Sequence, residues 1–309
     1  MILLDSPSAF KPGPRKVCAA IGVFDGVHLG HQQVIRQTVA DAQQQEALAV
    51  VVTFDKHPNA VVAPSRVPPL IYSLPQKLRT IGALGADATW VIHFEEAFSR
   101  KSGEEFIREL VRDFGRVHSI CVGGDFHFGY QRSGNVELLR KLGGELNFMV
   151  HGLAAVSLDG QAVRSTRIRE AIAAGQLDLA SQMLGRAYSL AGRVARGDQL
   201  GRQLGFPTAN IHTAGLVLPP CGVYAAHVQA RDEVLRGVVN IGFRPTLRDA
   251  AARLQVEAHL LDFTGELYGE ELELTFVEKL RDEQKFPSLG QLKAQIALDV
   301  AAARERFAN

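Results

Sequence analysis

The feature that most constrains this chain is a series of unbroken apolar runs in its first half, separated by helical patterns. Val17–Phe24 is one such run, ending in Gly and Asp, and Gly30–Gln45 then carries helical spacing. Ala47–Phe54 (ALAVVVTF) and Ala88–Phe94 are further runs, and Ser119–Val122 and Leu146–Val150 complete the series. Gln76–Leu84 and Gly103–Phe114 read as the helices between them. Strands this rich in Val and Ile, without polar alternation, must be covered on both faces. A parallel sheet with helices packed on either side meets that need. In sheets of this doubly wound type, ligands bind at the C-terminal ends of the strands, near the switch in strand order. That directs attention to Gly22–His31 and Gly123–Gly129.

The second half has a different texture. Thr166–Ala174 and Leu177–Leu184 read as two short helices parted at Gly175. After Tyr188 come short strands, Tyr224–Gln229, Gly237–Ile241, Gln255–Leu261 and Glu271–Val277, with turns such as Asp262–Gly265 between them. They predict a small antiparallel barrel. Leu289, Leu292, Ile296, Val300 and Phe307 are spaced along one face of a closing helix. At 309 residues the chain exceeds what one core usually organises. Two domains are expected, 1–185 and 186–309, with the boundary near Arg186.

Charge narrows the possible partners. With 34 Lys+Arg against 33 Asp+Glu there is no basic excess, and the nearest thing to a basic patch is Arg164, Arg167 and Arg169. Nucleic acid is therefore not expected as a partner, whereas a small anionic ligand such as a nucleotide is compatible. Cys18, Cys121 and Cys221 are far apart and lie in or beside apolar runs, which reads as three small buried hydrophobes in a reducing compartment. The N-terminal stretch meets Asp5 too soon for a signal peptide, and no run approaches the roughly 18 apolar residues of a membrane span. The expected location is cytoplasmic, without a membrane partner; the oligomeric state is left open.

The first candidate site is GVFDGVHLGH, Gly22–His31, which follows a strand and opens a helix. At a helix N-terminus, His28 and His31 can both face an anion that backbone N–H groups and the helix dipole already favour. Gly30 leaves space for a close approach. By itself a His-x-x-His pair is also compatible with a structural role or with metal binding. The full segment, however, resembles the His-x-Gly-His signature of nucleotidyltransferases, and specifically the flavin-adenylating branch. TFDKHP at 53–58, GGDFHFG at 123–129 and VRSTRIR at 163–169 follow in the order seen in bacterial FAD synthetases. The last is similar to that family's Ser-Ser-Thr-x-x-Arg loop through Ser165, Thr166 and Arg169. Arg164 stands where the family usually has its first Ser, and Ala162 where it often has Arg. The resemblance implies that His28 and His31 stabilise phosphoryl charge and that Arg169 holds the leaving pyrophosphate. It further implies nucleotide contacts at Gly22, Phe24, Asp25, Gly26, Gly30, Ser165 and Thr166. Asp125 is a candidate flavin contact or a turn-former.

The second candidate site is the glycine-dense stretch Gly192–Asn210, with Gly192, Gly197, Gly201 and Gly205 and the ending GFPTAN. It is not a Walker loop. Alone it reads as hairpin turns, or as a nest of backbone amides for an anion. Its ending resembles riboflavin kinases, and the likeness runs on through GVYAAHV, GVVNIGFRPT, VEAHLLDF and KLRDEQKF. It implies that Thr208 and Asn210 hold Mg²⁺ and ATP phosphate, with Pro207 beside them. Glu257 would be the general base for the riboflavin 5′-hydroxyl, and strand alternation puts it on the opposite face from Val256 and Ala258. Asn240, Arg244 and Arg281 are candidate flavin or phosphate contacts, with ordinary surface roles equally open.

Together the resemblances imply a Rossmann-like nucleotidyltransferase domain followed by a β-barrel riboflavin-kinase domain, using riboflavin, FMN and ATP with Mg²⁺. Two other readings are carried forward. One is a riboflavin kinase whose adenylation site is impaired at Arg164 and Ala162; the other is a non-catalytic flavin- or nucleotide-binding regulator.

Overall fold

A computed structural model describes residues 1–6, 10, 13–197, 200–244 and 253–308, with backbone alone at Leu200, Arg244 and Arg253. Asp198, Gln199, Pro245 and Thr246 of the two quoted motifs, and the Arg244 side chain, lie outside the described residues. The chain forms two compact units, Met1–Arg167 and Ile168–Asn309.

The first unit is built on a six-stranded sheet: β1 Ile2–Leu4, β2 Val17–Ile21, β3 Leu48–Phe54, β4 Ala88–Ile92, β5 Val117–Gly123 and β6 Met149–Leu153. Every strand pairing is parallel, in the order β1-β4-β3-β2-β5-β6. The helices are α1 Leu29–Gln44, α2 Asn59–Val62, α3 Leu74–Ala83, α4 Glu96–Ser99, α5 Gly103–Phe114 and α6 Val136–Leu146. All residues of β2 and β3 are buried, as their unbroken apolar composition requires. Ser102 and Glu105 close a capping box at the start of α5, satisfying donors the helix leaves free. From β2 the chain runs outward to β3 and β4 on one side, then returns to place β5 on the other. The switch in strand order thus falls between β2 and β5, whose C-terminal ends lead into Gly22 and Gly123. The edge strand β1 was not expected; three residues, two of them exposed, show no periodicity.

The second unit begins with α7 Ser165–Ala173, which spans the division, and α8 Leu177–Leu184. It continues as a closed antiparallel barrel of β9 Ser189–Ala195, β10 Ala209–Ile211, β11 Gly222–Ala230, β12 Glu233–Arg244, β13 Arg253–Leu260 and β14 Glu271–Arg281. A hairpin, β7 Ser157–Leu158 with β8 Gln161–Ala162, precedes α7, while α9 Leu200–Leu204 and α10 Leu289–Ala308 complete the set. The division between the units falls within α7, after Arg167, whereas the change of sequence texture follows α8. The reason is local: the Tyr188 N–H donates to Ser181 Oγ on α8 at 3.0 Å, and Tyr188 OH donates to Val217 O at 3.2 Å. Leu190, Val194, Tyr224, Val239, Val256 and Leu274 are among those filling the barrel. On its outer face α10 packs Val300, Ala303 and Phe307 against Val223, Ala225, Val238 and Leu261.

Candidate active sites

A cavity of about 400 Å³ opens beside the ends of β2 and β5. The loop leading to it enters the left-handed region at Phe24 (φ 51°), Gly26 (φ 74°) and Val27 (φ 41°). For Phe24 and Val27 this backbone is unfavourable by roughly 1–2 kcal/mol each. Burial holds them there, both being at most 2% exposed. The Asp25 carboxylate fixes the loop from beneath, accepting the Ile71 N–H at 3.0 and 3.1 Å and the Tyr72 N–H at 3.3 Å. Lys77, buried on α3, directs its ammonium group at Phe54 O (2.8 Å), Thr53 Oγ1 (3.2 Å) and Val23 O (3.3 Å). Burial pushes its pKa down to about 8, against the pull of Asp25 and Asp55.

His28 is the N-cap of α1, its Nδ1 accepting the His31 N–H at 3.4 Å, and the two rings stack with centroids 3.5 Å apart. Phe24 meets His31 edge-on. A Cβ on Gly30 would lie 3.3 Å from His28 Cε1. Gly30 therefore makes room for the imidazole itself, a use the sequence reading had not included. Gly22, Phe24, His28, Gly30, His31 and Ser165 line the cavity together with Asp125 and Arg164. Ser165 Oγ donates to Asp25 O at 3.2 Å. Asp25 and Gly26 are turned inward, and they and Thr166 do not line it. Arg164 reaches Asp125 Oδ2 at 3.3 Å, both side chains being largely exposed. The residue that departs from the family motif thus faces the cavity. Arg169 belongs to the second unit, on α7.

In the second unit a cavity of about 580 Å³ lies on the outer face of the barrel, against α10. Barrel register builds it: Asn210 pairs with Glu257, Glu257 with Asn240, Asn240 with Val223, and Val223 with Arg281. Val256 and Ala258 point into the barrel core, so Glu257 faces out, as strand alternation predicts. Thr208, Asn210, Asn240 and Glu257 all line this cavity. Thr208 also lines a neighbouring cavity of about 430 Å³ with Pro207, Arg202 and Tyr268. Pro207 O accepts from His259 Nδ1 at 2.8 Å.

The glycines of this stretch serve close packing. Gly197 lies against the Asn210 side chain, and Gly201 against Phe206 O and Thr208, so that a Cβ at either would displace the PTAN residues. Gly192 sits within β9, close to His212 O, and Gly205 turns the chain at φ 92°. Arg281 donates to Asp299 on α10 through Nε (2.8 Å) and Nη2 (2.7 Å) and lies over the Phe286 ring. Much of its donor capacity is engaged internally, tying β14 to α10. Thr208, Asn210 and Glu257 offer hard oxygen donors along one edge, a set suited to a small divalent cation.

Residues 11–167 match the FAD synthetase family model and residues 184–307 match the riboflavin kinase model. The chain is 40% identical over 295 residues to the bifunctional riboflavin kinase/FMN adenylyltransferase of Pseudomonas fluorescens, covering 95% of this chain and 94% of the relative. The chain belongs to the bifunctional riboflavin kinase/FMN adenylyltransferase family. The Escherichia coli K12 relative is 38% identical over 296 residues, with 95% of this chain and 94% of the relative covered. A solved structure described as a macrolide-efflux protein of Streptococcus pneumoniae superposes with a TM-score of 0.81 at 26% identity, covering 98% of each chain. Among the described residues no helix is long and apolar enough to cross a membrane. As a member of this family the chain is a transferase with a kinase domain and a nucleotidyltransferase domain. Sequence reasoning missed Lys77: a lysine within LPQKLRTIGA carries no mark that distinguishes a buried ammonium from a solvated one.

Proposed function

We propose that the second unit phosphorylates riboflavin and that the Gly22–His31 crevice adenylates the FMN produced, with 1–185 and 186–309 as the functional division. The reading rests above all on the row Asn210–Glu257–Asn240, which sets a carboxylate beside two neutral amides on one wall of a cavity. Riboflavin occupies the 580 Å³ cavity, and ATP the 430 Å³ cavity that shares Thr208 with it. Glu257 accepts the 5′-hydroxyl proton as that oxygen bonds to the γ-phosphorus and ADP leaves. Thr208 and Asn210 would hold Mg²⁺, which when bound offsets charge on the phosphates. Asn240 orients the flavin. Arg281 acts chiefly through Asp299, keeping α10 in place.

In the first unit an FMN phosphate oxygen bonds to the α-phosphorus of ATP while pyrophosphate leaves, so no side-chain base is required. His28 and His31 donate to the phosphoryl oxygens, and Asp125 sits at the flavin side. Arg164 faces the cavity and supplies a positive charge there, which favours a working site over an impaired one. The balanced charge and the unpaired cysteines support a cytoplasmic enzyme without nucleic-acid or membrane partners. The test is a time course with riboflavin, ATP and Mg²⁺ in which the flavins are separated. FMN should form first and FAD second. His28→Ala should stop at FMN, and Glu257→Ala should leave riboflavin unconverted yet still adenylate supplied FMN. Wild-type riboflavin turnover by Glu257→Ala would remove its assigned role.

A further inference from the structure

None of the residues lining the two catalytic cavities takes part in a third polar cluster of the first unit. There α1, β5 and β6 bring together Asp41, Cys121 and His151, one ligand atom of each lying within 4.8 Å of the other two. Asp41 Oδ2 is 3.6 Å from Cys121 Sγ and 3.2 Å from His151 Nε2. Around a tetrahedral zinc-type ion, with bonds of ~2.3 Å to sulfur and ~2.0 Å to nitrogen or oxygen, the corresponding ligand–ligand edges are ~3.5 Å and ~3.3 Å. The observed edges fit that geometry.

A second observation concerns the imidazole. His151 Nε2 is shielded from solvent yet makes no hydrogen bond, although the Asp41 oxygen is within reach. The two atoms stand side by side, as neighbouring ligands do, and not in a donor–acceptor line. Asp41 is also held in place, Gln37 Nε2 donating to Oδ1 at 2.7 Å and Ser119 Oγ to Oδ2 at 2.8 Å. Such outer contacts are what orient a carboxylate ligand. His151, one-third exposed, provides a way in. Without a metal, burial above all raises the Cys121 thiol to about 12, so it is a neutral S–H and a poor nucleophile or redox sensor.

We propose that Asp41, Cys121 and His151 form a three-ligand site for a soft divalent transition ion of the zinc type, its fourth position open to water. Binding forms a metal–sulfur bond and releases the thiol proton to solvent, with no change of oxidation state. The ion would join α1, which carries His28 and His31 at its other end, to β5 and β6.

The test uses Co²⁺ alone, added to the reduced, metal-free full-length protein. One equivalent should bind and give a thiolate-to-cobalt charge-transfer band in the near ultraviolet with tetrahedral bands in the visible. Zn²⁺ should bleach both. Cys121→Ser should abolish the charge-transfer band, while Cys18→Ala and Cys221→Ala should keep it. Since Cys121 is buried, the partly exposed His151→Ala is a second variant; loss of a direct ligand should weaken Co²⁺ binding by more than the ~10-fold that loss of an outer-shell partner already brings, with riboflavin kinase turnover unchanged. No charge-transfer band in the wild type, its persistence in Cys121→Ser, or undiminished affinity in His151→Ala would overturn the proposal. The cluster would then be a hydrogen-bonded buried carboxylate only.

Discussion

Gly201→Ala should disable one activity and spare the other. The added methyl carbon would overlap Phe206 O by about 1 Å relative to ordinary contact and would press on Thr208 Oγ1 from 3.1 Å. Neither the carbonyl nor its neighbour Pro207 can rotate away as a flexible side chain would. The strand of PTAN must therefore shift by roughly the overlap. A misplacement of about 1 Å at a catalytic centre lowers turnover by about 100-fold, equivalent to ~2.7 kcal/mol of transition-state stabilisation. Riboflavin and FMN are supplied in parallel reactions, and FMN and FAD are quantified against time. Riboflavin phosphorylation should fall about 100-fold, while FMN adenylation stays at the wild-type rate and acts as the folding control. Gly205→Ala makes the comparison: it has open space around it but φ of 92°. Its penalty of ~1–2 kcal/mol falls on local stability and not on the position of Thr208. If Gly201→Ala phosphorylates riboflavin within a few-fold of wild type, the steric reasoning fails. It fails equally if both activities drop together.

Removing the Arg281 guanidinium with Arg281→Met leaves Asp299, only 6% exposed, without its charge partner; urea unfolding of the second unit should show a loss of about 3 kcal/mol, with a raised KM for riboflavin as α10 loosens. Lys77, with a pKa of about 8 in the folded chain against 10.5 ordinarily, gives stability a pH dependence. Between those values the unfolded chain keeps a proton the folded chain has lost, so stability should rise by on the order of 3 kcal/mol from pH 8 to 10.5. Lys77→Met should flatten that segment of a urea-denaturation series, and an unchanged slope would contradict the burial argument. Asp25→Ala removes the acceptor for Ile71 and Tyr72 N–H; it should lower adenylation by at least tenfold with phosphorylation intact, measured in the same flavin assay.

The parts of the fold that were legible in advance are those where burial leaves a periodic trace. ALAVVVTF could only be a strand covered on both faces, and VEAHLL could only send Glu257 to the side opposite Val256 and Ala258. The closing helix was visible through Leu292, Ile296 and Val300 for the same reason. Ser189–Ala195 was not seen as a strand because its glycine, placed there for the approach of His212, reads as a turn-former. The short edge strand Ile2–Leu4 leaves no trace because two of its three residues face solvent. In the first crevice the histidines were visible, but what holds their loop was not. The inward turn of Asp25 and the capping of strand ends by Lys77 depend on Ile71, Thr53 and Phe54, residues distant in sequence whose types carry no chemical signal.

The alternation along β13 has a consequence for how this enzyme can be altered. Gln255, Glu257 and His259 line the 580 Å³ cavity, whereas Val256, Ala258 and Leu260 fill the barrel, Leu260 also reaching the 430 Å³ cavity. Cohesion and chemistry are thus written on one strand in two interleaved scripts, each readable without the other. Libraries confined to Gln255 and His259 leave both Glu257 and the packed interior untouched, and redesign at Val256 and Ala258 alters the barrel without entering either cavity.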